Sequence, residues 1–321
     1  MKVSVITPAY NAAKFIVKAL DSVSSQTFPV REIVVVDDGS SDDTRELVRT
    51  WMDAWCVPVK LQSQANAGVS VARNTAINFA SGEWVAFLDA DDIWLPNHVE
   101  DLMAAAKSYP QALTVFGDAI QFTQEGDEYP YFSREKSLKC AIKRQGDYHL
   151  LDAEAFFAGT VPGLFLCPSA SMVKRRVALA NGGFDASILY IEDRDFFLRM
   201  ALQGPIAFVD RSISRKRVHD SNITHPRNTQ RNAFYMIKLL RKMQDSAGRV
   251  GLKDSQVNLL NQTLDQTVRG YLYGASENGM RSYWQAINAL VGFSIFPAAR
   301  FNPRNLARSM VGSVKSTQKA G

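Results

Sequence analysis

Residues 84–92 read Trp-Val-Ala-Phe-Leu-Asp-Ala-Asp-Asp. Five consecutive apolar residues match a strand buried on both faces. The run ends in Asp89, Asp91 and Asp92, three carboxylates within four residues. Like charges this close are unfavourable unless a proton or a cation compensates them. A hard divalent cation would do so, held by one or two carboxylates with its other positions open to phosphate oxygens. The competing reading is an acid-rich helix N-terminus just before Pro96.

Upstream, Val3–Thr7 is a short apolar run that stops at Pro8, and Glu32–Val36 is a second, ending in Asp37-Asp38-Gly39-Ser40. Between them, Phe15, Ile16, Ala19, Leu20 and Val23 recur at helical spacing over 11–26, with Asn11 as the expected N-cap. A helix over 41–55, a strand at Val59–Leu61 and a helix over 68–80 complete the stretch. Strand and helix thus alternate through about residue 100, which predicts a parallel α/β sheet with helices on both faces. Ligands of such sheets bind at the carboxyl ends of the strands. Pro8-Ala9-Tyr10-Asn11, Asp37–Ser40 and Asp89–Asp92 are all expected at such ends, around one crevice.

Each cluster has a chemical use. Asp37 and Asp38 can accept from a nucleobase N–H or a ribose hydroxyl, or can simply build a turn whose Ser40, Ser41 and Asp42 cap the next helix. Tyr10 offers a ring on which a base could stack. Asn66-Ala67-Gly68 precedes Ala72-Arg73-Asn74. A helix starting there would aim N–H groups at an anion, and Arg73 could pair with phosphate, although a lone helical Arg is more often solvated.

Downstream, Thr114–Asp118, Ser169–Val173 and Ile206–Val209 read as strands, and 124–150 as an irregular polar loop on the acceptor side. From about 226 the chain turns helical, at 232–244, 254–275 and 280–292. Tyr283, Trp284, Ile287, Leu290, Val291, Phe293, Ile295 and Phe296 form an apolar run, no acid follows Glu277, and Arg300, Arg304 and Arg308 recur every fourth residue. The net charge of +5 divides unevenly: 18 Lys/Arg against 5 Asp/Glu from residue 211 onward, and 19 against 27 before it. An acidic part suits a metal and a cationic transition state. A basic, apolar tail suits an anionic surface such as phospholipid, or packs on the catalytic domain or a second subunit. Three cysteines without a CxxC pair suggest neither a zinc site nor a disulfide scaffold and fit a reduced, cytoplasmic setting. The apolar N-terminal run is too short for a signal peptide, and no membrane span is expected.

The ordered series VSVITPAYN, VVVDDGSSDDT, NAGVSVARN and ASGEWVAFLDADD resembles the family 2 glycosyltransferases over roughly residues 1–100. A looser likeness follows in Gly182-Gly183-Phe184-Asp185, Glu192-Asp193-Arg194-Asp195 and Leu198-Arg199, and a last one in Arg217–Asn222. The resemblance implies an α/β GT-A fold with a C-terminal helical extension. Residues 1–225 would be the catalytic domain, divided into a nucleotide-sugar and metal half (1–105) and an acceptor half (106–225). Residues 226–321 would be the basic extension. It implies inverting transfer of a hexosyl group from a nucleoside-diphosphate sugar to a hydroxyl acceptor, a saccharide or lipid-linked saccharide of cell-surface polysaccharide synthesis. The donor would be a UDP-sugar, with GDP- or dTDP-sugar as alternatives, and the cofactor Mn²⁺ or Mg²⁺. By position Asp91 would bind the metal, His219 would approach metal or diphosphate, and Asp89 and Ala90 would lie against ribose or metal. Asp38 would hold the base, with Pro8, Tyr10, Asn66 and Arg73 around the nucleotide, and Asp193 would be the general base. The enzyme would work at the inner face of the cell membrane, through peripheral contact or as a homo-oligomer, with no nucleic-acid partner.

The chemistry asks for such residues independently. Inversion needs a base opposite the leaving group and charge neutralisation on the departing diphosphate. Glu192 and Asp195 rival Asp193, but Asp195 and Arg199 stand four apart on a helix and are placed for an ion pair. A hydrogen-bonded structural role is the alternative for His219. A nucleotidyltransferase or a Rossmann oxidoreductase would need a Gly-rich loop after the first strand, which Pro8–Asn11 is not. A binding protein without catalysis would tolerate loss of the acids that are present here.

Overall fold

The computed structural model describes residues 1–54, 57–123, 125–131, 133–163, 166–219, 228–295 and 303–318. Cys56, the Asp220–Asn222 end of the last motif, the expected domain boundary at 225, and Phe296 and Arg300 lie outside the described residues. The chain divides into two compact units, Met1–Asp220 and Ser221–Gly321.

The first unit begins β1 (Val3–Ala9), α1 (Ile16–Ser24), β2 (Glu32–Asp37), α2 (Thr44–Ala54), β3 (Val59–Ser63), α3 (Val69–Phe79) and β4 (Trp84–Phe87). It continues through β5 (Ile93–Trp94), α4 (His98–Ser108), β6 (Thr114–Phe122), β7 (Glu128–Tyr131), α5 (Ser133–Lys139), β8 (Ala141–Gln145) and β9 (Tyr148–Leu151). α6 (Ala153–Thr160), β10 (Ser171–Lys174), α7 (Arg175–Ala180), α8 (Glu192–Ala201) and β11 (Ile206–Arg217) complete it. The sheet order is β3-β2-β1-β4-β10-β6-β11-β9-β8, with β5 on β11 and β7 on β6. β3, β2, β1 and β4 are parallel, as the alternation predicts, while β10 runs antiparallel to both β4 and β6. β2 and β3 lie to one side of β1 and β4 to the other, so the topological switch point, where α/β sheets bind ligands, falls between β1 and β4.

Two cores cover the two faces. Val3, Val5, Ile33, Val35, Trp84 and Ala86 point into one, against α1, α2 and α4. Ile6, Val34, Val36, Val85 and Phe87 point into the other, against α3, α6, α7 and α8. This period-two division explains why the runs read as continuous apolar sequence: both faces are covered, and each buried Val, Ile or Phe contributes about 1.5–3 kcal/mol.

Three local expectations are corrected. Asn11 does not cap α1, which starts five residues later. It sits at φ +48°, its N–H donating to Ser40 Oγ at 2.9 Å and its Oδ1 accepting from the N–H of Ser41 at 2.9 Å, so it ties the end of β1 to the end of β2. α2 begins at Thr44 rather than Ser41, because Asp42 accepts the Thr44 N–H at 3.1 Å and holds the preceding residues in a turn. The 124–150 stretch is not an irregular loop but carries β7, α5, β8 and β9. β8 is an edge strand with Ile142–Gln145 exposed, so it lacks the apolar alternation that marks a half-buried strand.

The second unit is α9 (Thr229–Val250), α10 (Asp254–Glu277), α11 (Met280–Gly292) and α12 (Pro303–Gln318). Ile237, Val268, Leu272, Tyr283, Ile287 and Leu290 form its core. Among the described residues no helix is long and apolar enough to cross a membrane.

Candidate active site

At the end of β4 the backbone turns on itself, the Asp92 N–H donating to Asp89 O at 3.1 Å and the Asp89 N–H to Ser169 Oγ at 3.0 Å. The far end of β11 lies against this turn. The Arg217 N–H donates to Asp92 Oδ1 at 2.9 Å and its Nε to Asp91 O at 2.9 Å, and His219 Nε2 stands 2.9 Å from Asp91 Oδ2. Phe15 stacks on His219, and Arg217 lies over the rings of Phe15 and Phe122, which fixes the approach of this segment. Residues 128 positions apart in sequence therefore form one cluster.

Electrostatics separates the acids. Burial opposes ionisation of Asp91, but the His219 hydrogen bond and the charge of Lys216 outweigh it and hold the carboxyl below its ordinary range. Asp92 goes the other way. Burial, reinforced by Asp91 and Asp89 against the pull of Lys216, pushes it up to about 7. Burial would depress Lys216, yet Cys167, Asp92, Tyr131 and Asp89 around it hold it protonated well above its usual range. The sequence does not mark Lys216 and Ser169 as site residues, and marks Arg217 only as the start of the last motif. Their signal is faint, a basic triplet Arg215-Lys216-Arg217 two residues short of the histidine and a serine in the turn before β10.

This donor set suits a divalent cation. Two ligands adjacent on an octahedron with bonds of about 2.1 Å are about 3 Å apart, close to the Asp91–His219 separation. Both side chains are partly open, at 29% and 18% exposure. Among the described residues no group of three His, Cys, Asp or Glu forms a closed cage. A two-ligand site leaves coordination positions for substrate phosphate, as magnesium-type sites do.

The end of β2 is arranged differently. Asp37 is fully buried, bound by Arg45 at 2.7 and 3.0 Å and by the Ser40 N–H at 3.1 Å. Asp38 accepts from Gln64 Nε2 at 2.8 Å, the Ala67 N–H at 2.9 Å and the Gly68 N–H at 2.8 Å. It thus fastens the Asn66–Gly68 loop beside β2. Gly39 adopts φ +77°, and a Cβ there would stand 2.8 Å from Asn66 N, so only glycine fits. Pro8 is buried in β1, paired with Val36, while Tyr10 at the strand end is 55% exposed. Asn66 is exposed and Ala90 is buried.

The acceptor-side motif meets the same region through α3. Arg73 donates from Nη2 to Asp89 Oδ1 and from Nη1 to Glu192 Oε1, both at 2.7 Å. Asp195 pairs with Arg199 at 2.7 Å, the ion pair that the spacing predicts. Among the acids of the first turn of α8, Asp193 is left half-buried, with its Oδ1 accepting from the Arg194 N–H at 2.7 Å and its charge acting on Arg73. Ile191, just ahead, holds φ +57°, a strained conformation for a β-branched residue of the kind that gathers at functional sites.

A parallel sheet with its crevice at the switch point, extended by antiparallel strands and carrying ordered acids at the strand ends, is the GT-A architecture. The chain belongs to the family described as Glycosyl transferase family 2, whose model matches residues 4–179. It is 25% identical over 285 residues to a chondroitin synthase of Escherichia coli, across 87% of this chain and 37% of that one. It is 46% identical over 99 residues to the Escherichia coli UDP-Glc:alpha-D-GlcNAc-diphosphoundecaprenol beta-1,3-glucosyltransferase WfgD, across 30% of this chain and 38% of that one. The chain thus spans well under half the length of these curated relatives. The structure of S. aureus TarS 1–349 in complex with UDP-GlcNAc superposes with a TM-score of 0.68 at 21% identity, over 91% of this chain and 80% of that chain. The mannosyltransferase PcManGT from Pyrobaculum calidifontis, in complex with GDP-Man and Mn²⁺, gives 0.55 at 20% identity, over all of this chain and 88% of the other.

Proposed function

We propose that this chain is an inverting, metal-dependent glycosyltransferase that moves a hexosyl group from a nucleoside-diphosphate sugar to a hydroxyl acceptor in cell-surface polysaccharide synthesis. The observation that carries the reading is the meeting of His219 with Asp91 at the carboxyl end of β4, with the acid-rich start of α8 tied to the same turn through Arg73. Residues 1–105 would form the donor half, 106–225 the acceptor half and 226–321 an extension. A carboxylate–imidazole pair favours Mn²⁺ over the strictly oxygen-seeking Mg²⁺. The metal bound there would neutralise charge on the departing diphosphate. Tyr10, exposed at the end of β1, offers its ring to the base, and Asp38 keeps the neighbouring loop in place. Asp193 takes the proton of the attacking acceptor hydroxyl: Glu192 and Asp195 are already committed to Arg73 and Arg199. UDP-sugars come first as donors, since WfgD is named for UDP-Glc and TarS is seen with UDP-GlcNAc.

The test is calorimetry of the full chain with UDP-, GDP- and dTDP-sugars, with Mn²⁺, with Mg²⁺ and with EDTA. Metal-dependent binding of a UDP-sugar, strongest with Mn²⁺, is expected. Absence of metal-dependent binding across the panel would overturn the reading. For a lipid-linked acceptor we further propose peripheral contact with the inner face of the membrane through α11 and α12, a stretch with Arg281, Arg304, Arg308 and Lys315 and no acid. Flotation with anionic vesicles should weaken in Arg304→Glu/Arg308→Glu, and unchanged flotation would remove this part.

A further inference from the structure

Arg73 occupies the place where the sequence suggests a phosphate ligand. Its side chain is 4% exposed, and its two terminal nitrogens are directed at two carboxylates from separate motifs. Asp89 lies 16 residues away and Glu192 lies 119 away. Its Nε is buried without a hydrogen-bond partner. Burial opposes the charge, but Asp89 and Glu192 outweigh it and hold the guanidinium protonated. The guanidinium sits 5.1 Å over Phe184, whose ring stacks at 4.1 Å on Phe196 of α8. Next to it, Asn74 donates to Phe184 O at 2.8 Å and accepts from the Phe184 N–H at 2.7 Å. A Cβ on Gly183, itself at φ +65°, would run into Asn74 Oδ1. Arg199 closes the ring of contacts from α8, donating to Asn181 O and Gly183 O at 2.7 Å each. α3, the Gly182–Phe184 loop and α8 are therefore one bonded assembly, and Arg73 joins it to the acid turn after β4.

We propose that Arg73 is a positioning residue rather than a nucleotide ligand: it locks the start of α8, and with it Asp193, to the donor-site carboxylate Asp89. Its catalytic consequence rests on the glycosyltransferase reading above. The strained Ile191 fits this role, because such a backbone persists only where surrounding contacts over-determine it. Lysine cannot replace Arg73, since a single ammonium lacks the fork that reaches two acids in different directions.

Amide exchange and kinetics on the full chain test this with Arg73→Met, Arg73→Lys and Glu192→Gln. In the free protein, amides of residues 191–196 should exchange about tenfold faster or more in all three variants, with α1 unchanged. Transfer kcat should fall about 100-fold in Arg73→Met and Arg73→Lys, while the Kd for UDP with Mn²⁺ moves less than about threefold. The double variant Arg73→Met/Glu192→Gln should be no slower than Arg73→Met alone, as expected of residues acting as one unit. A UDP Kd that weakens in step with kcat would make Arg73 a nucleotide ligand and overturn the proposal. So would unchanged exchange at α8. If wild type binds no nucleotide, the functional reading fails, and the exchange arm still decides the strut. Should Arg73→Met fail to fold, the near-isosteric Glu192→Gln gives the same two readouts.

Discussion

At the end of β2, Asp37 and Asp38 are surrounded by the protein's own donors. At the end of β4, Asp89, Asp91 and Asp92 crowd one turn and meet fewer donors, from Arg73, His219 and the Arg217 N–H respectively. Arg45, Ser40, Gln64 and two backbone N–H groups meet the first pair, and both acids are buried. In the second cluster Asp92 is buried with one oxygen lacking a hydrogen bond of good geometry, and burial, reinforced by the charges of Asp91 and Asp89, drives it up to about 7. Among the described residues Asp91 has a histidine, His219, as its side-chain hydrogen-bond partner, and it stays partly open. Acids whose hydrogen bonds are met inside the fold hold loops in place. On the proposed reading, acids left crowded at a partly open strand end are the ones that an external cation would neutralise. The difference separates architecture from chemistry within one sheet, between two motifs of similar composition.

The largest effect should come from the open cluster. Asp91→Asn removes the charge while keeping the shape, and transfer should fall about 10³-fold, with little change in thermal midpoint. Steady-state kinetics with saturating Mn²⁺ and a melting curve measure both. A large loss of stability with unaltered turnover would reverse the assignment. Asp193→Asn comes next. Turnover should drop about 100-fold or more with the donor Kd retained, because only the proton acceptor is removed; normal transfer would place the base elsewhere. Asp38→Asn should show the opposite signature. An amide must turn an N–H toward one of the three donors that Asp38 now accepts, so stability should fall by about 2 kcal/mol in urea titrations. Donor affinity should weaken only as far as the 66–68 loop loosens. If Asp38→Asn instead leaves stability intact and abolishes donor binding, the two strand ends are more alike than their hydrogen bonds suggest.

Legibility follows the same physics. β1, β2 and β4 are readable because both faces are buried, so no polar residue interrupts Ile33–Val36 or Trp84–Leu88 and these stand out as continuous apolar sequence. The Asp195–Arg199 pair is readable because helical spacing makes it local. β8 is not readable, since an exposed edge strand has no buried face to pattern it. The environment of Lys216 is also hidden, because Cys167, Asp92, Tyr131 and Asp89 converge on it from distant parts of the chain. Arg73 is legible as a residue but not for its partners, one of which lies 119 residues on. Sequence spacing reports neighbours along a helix or strand, while a tertiary ion pair depends on how the sheet is ordered.

Glu32, at the start of β2, sharpens the comparison most gently. Burial disfavours its charge, but Lys60 and the bonds from Ser81 and Ser4 outweigh this and lower it to about 2. It is therefore a satisfied acid of the Asp38 kind, ionised in the folded chain at pH values where the unfolded chain has begun to bind protons. A folded pKa depressed from 4.5 to about 2 gives stability that is present above the unfolded value and lost as pH falls through the folded one. Between about pH 5 and pH 4 the loss attributable to this group should be under about 1 kcal/mol, and it should grow below that window. Urea unfolding of wild type and Glu32→Gln across pH 6 to 3 measures it: the variant should be less stable at neutral pH and the two curves should converge toward low pH. Parallel curves would mean that Glu32 titrates alike in both states. Its buried hydrogen bonds would then not hold its charge, and the distinction between satisfied and unsatisfied acids would lose its simplest instance.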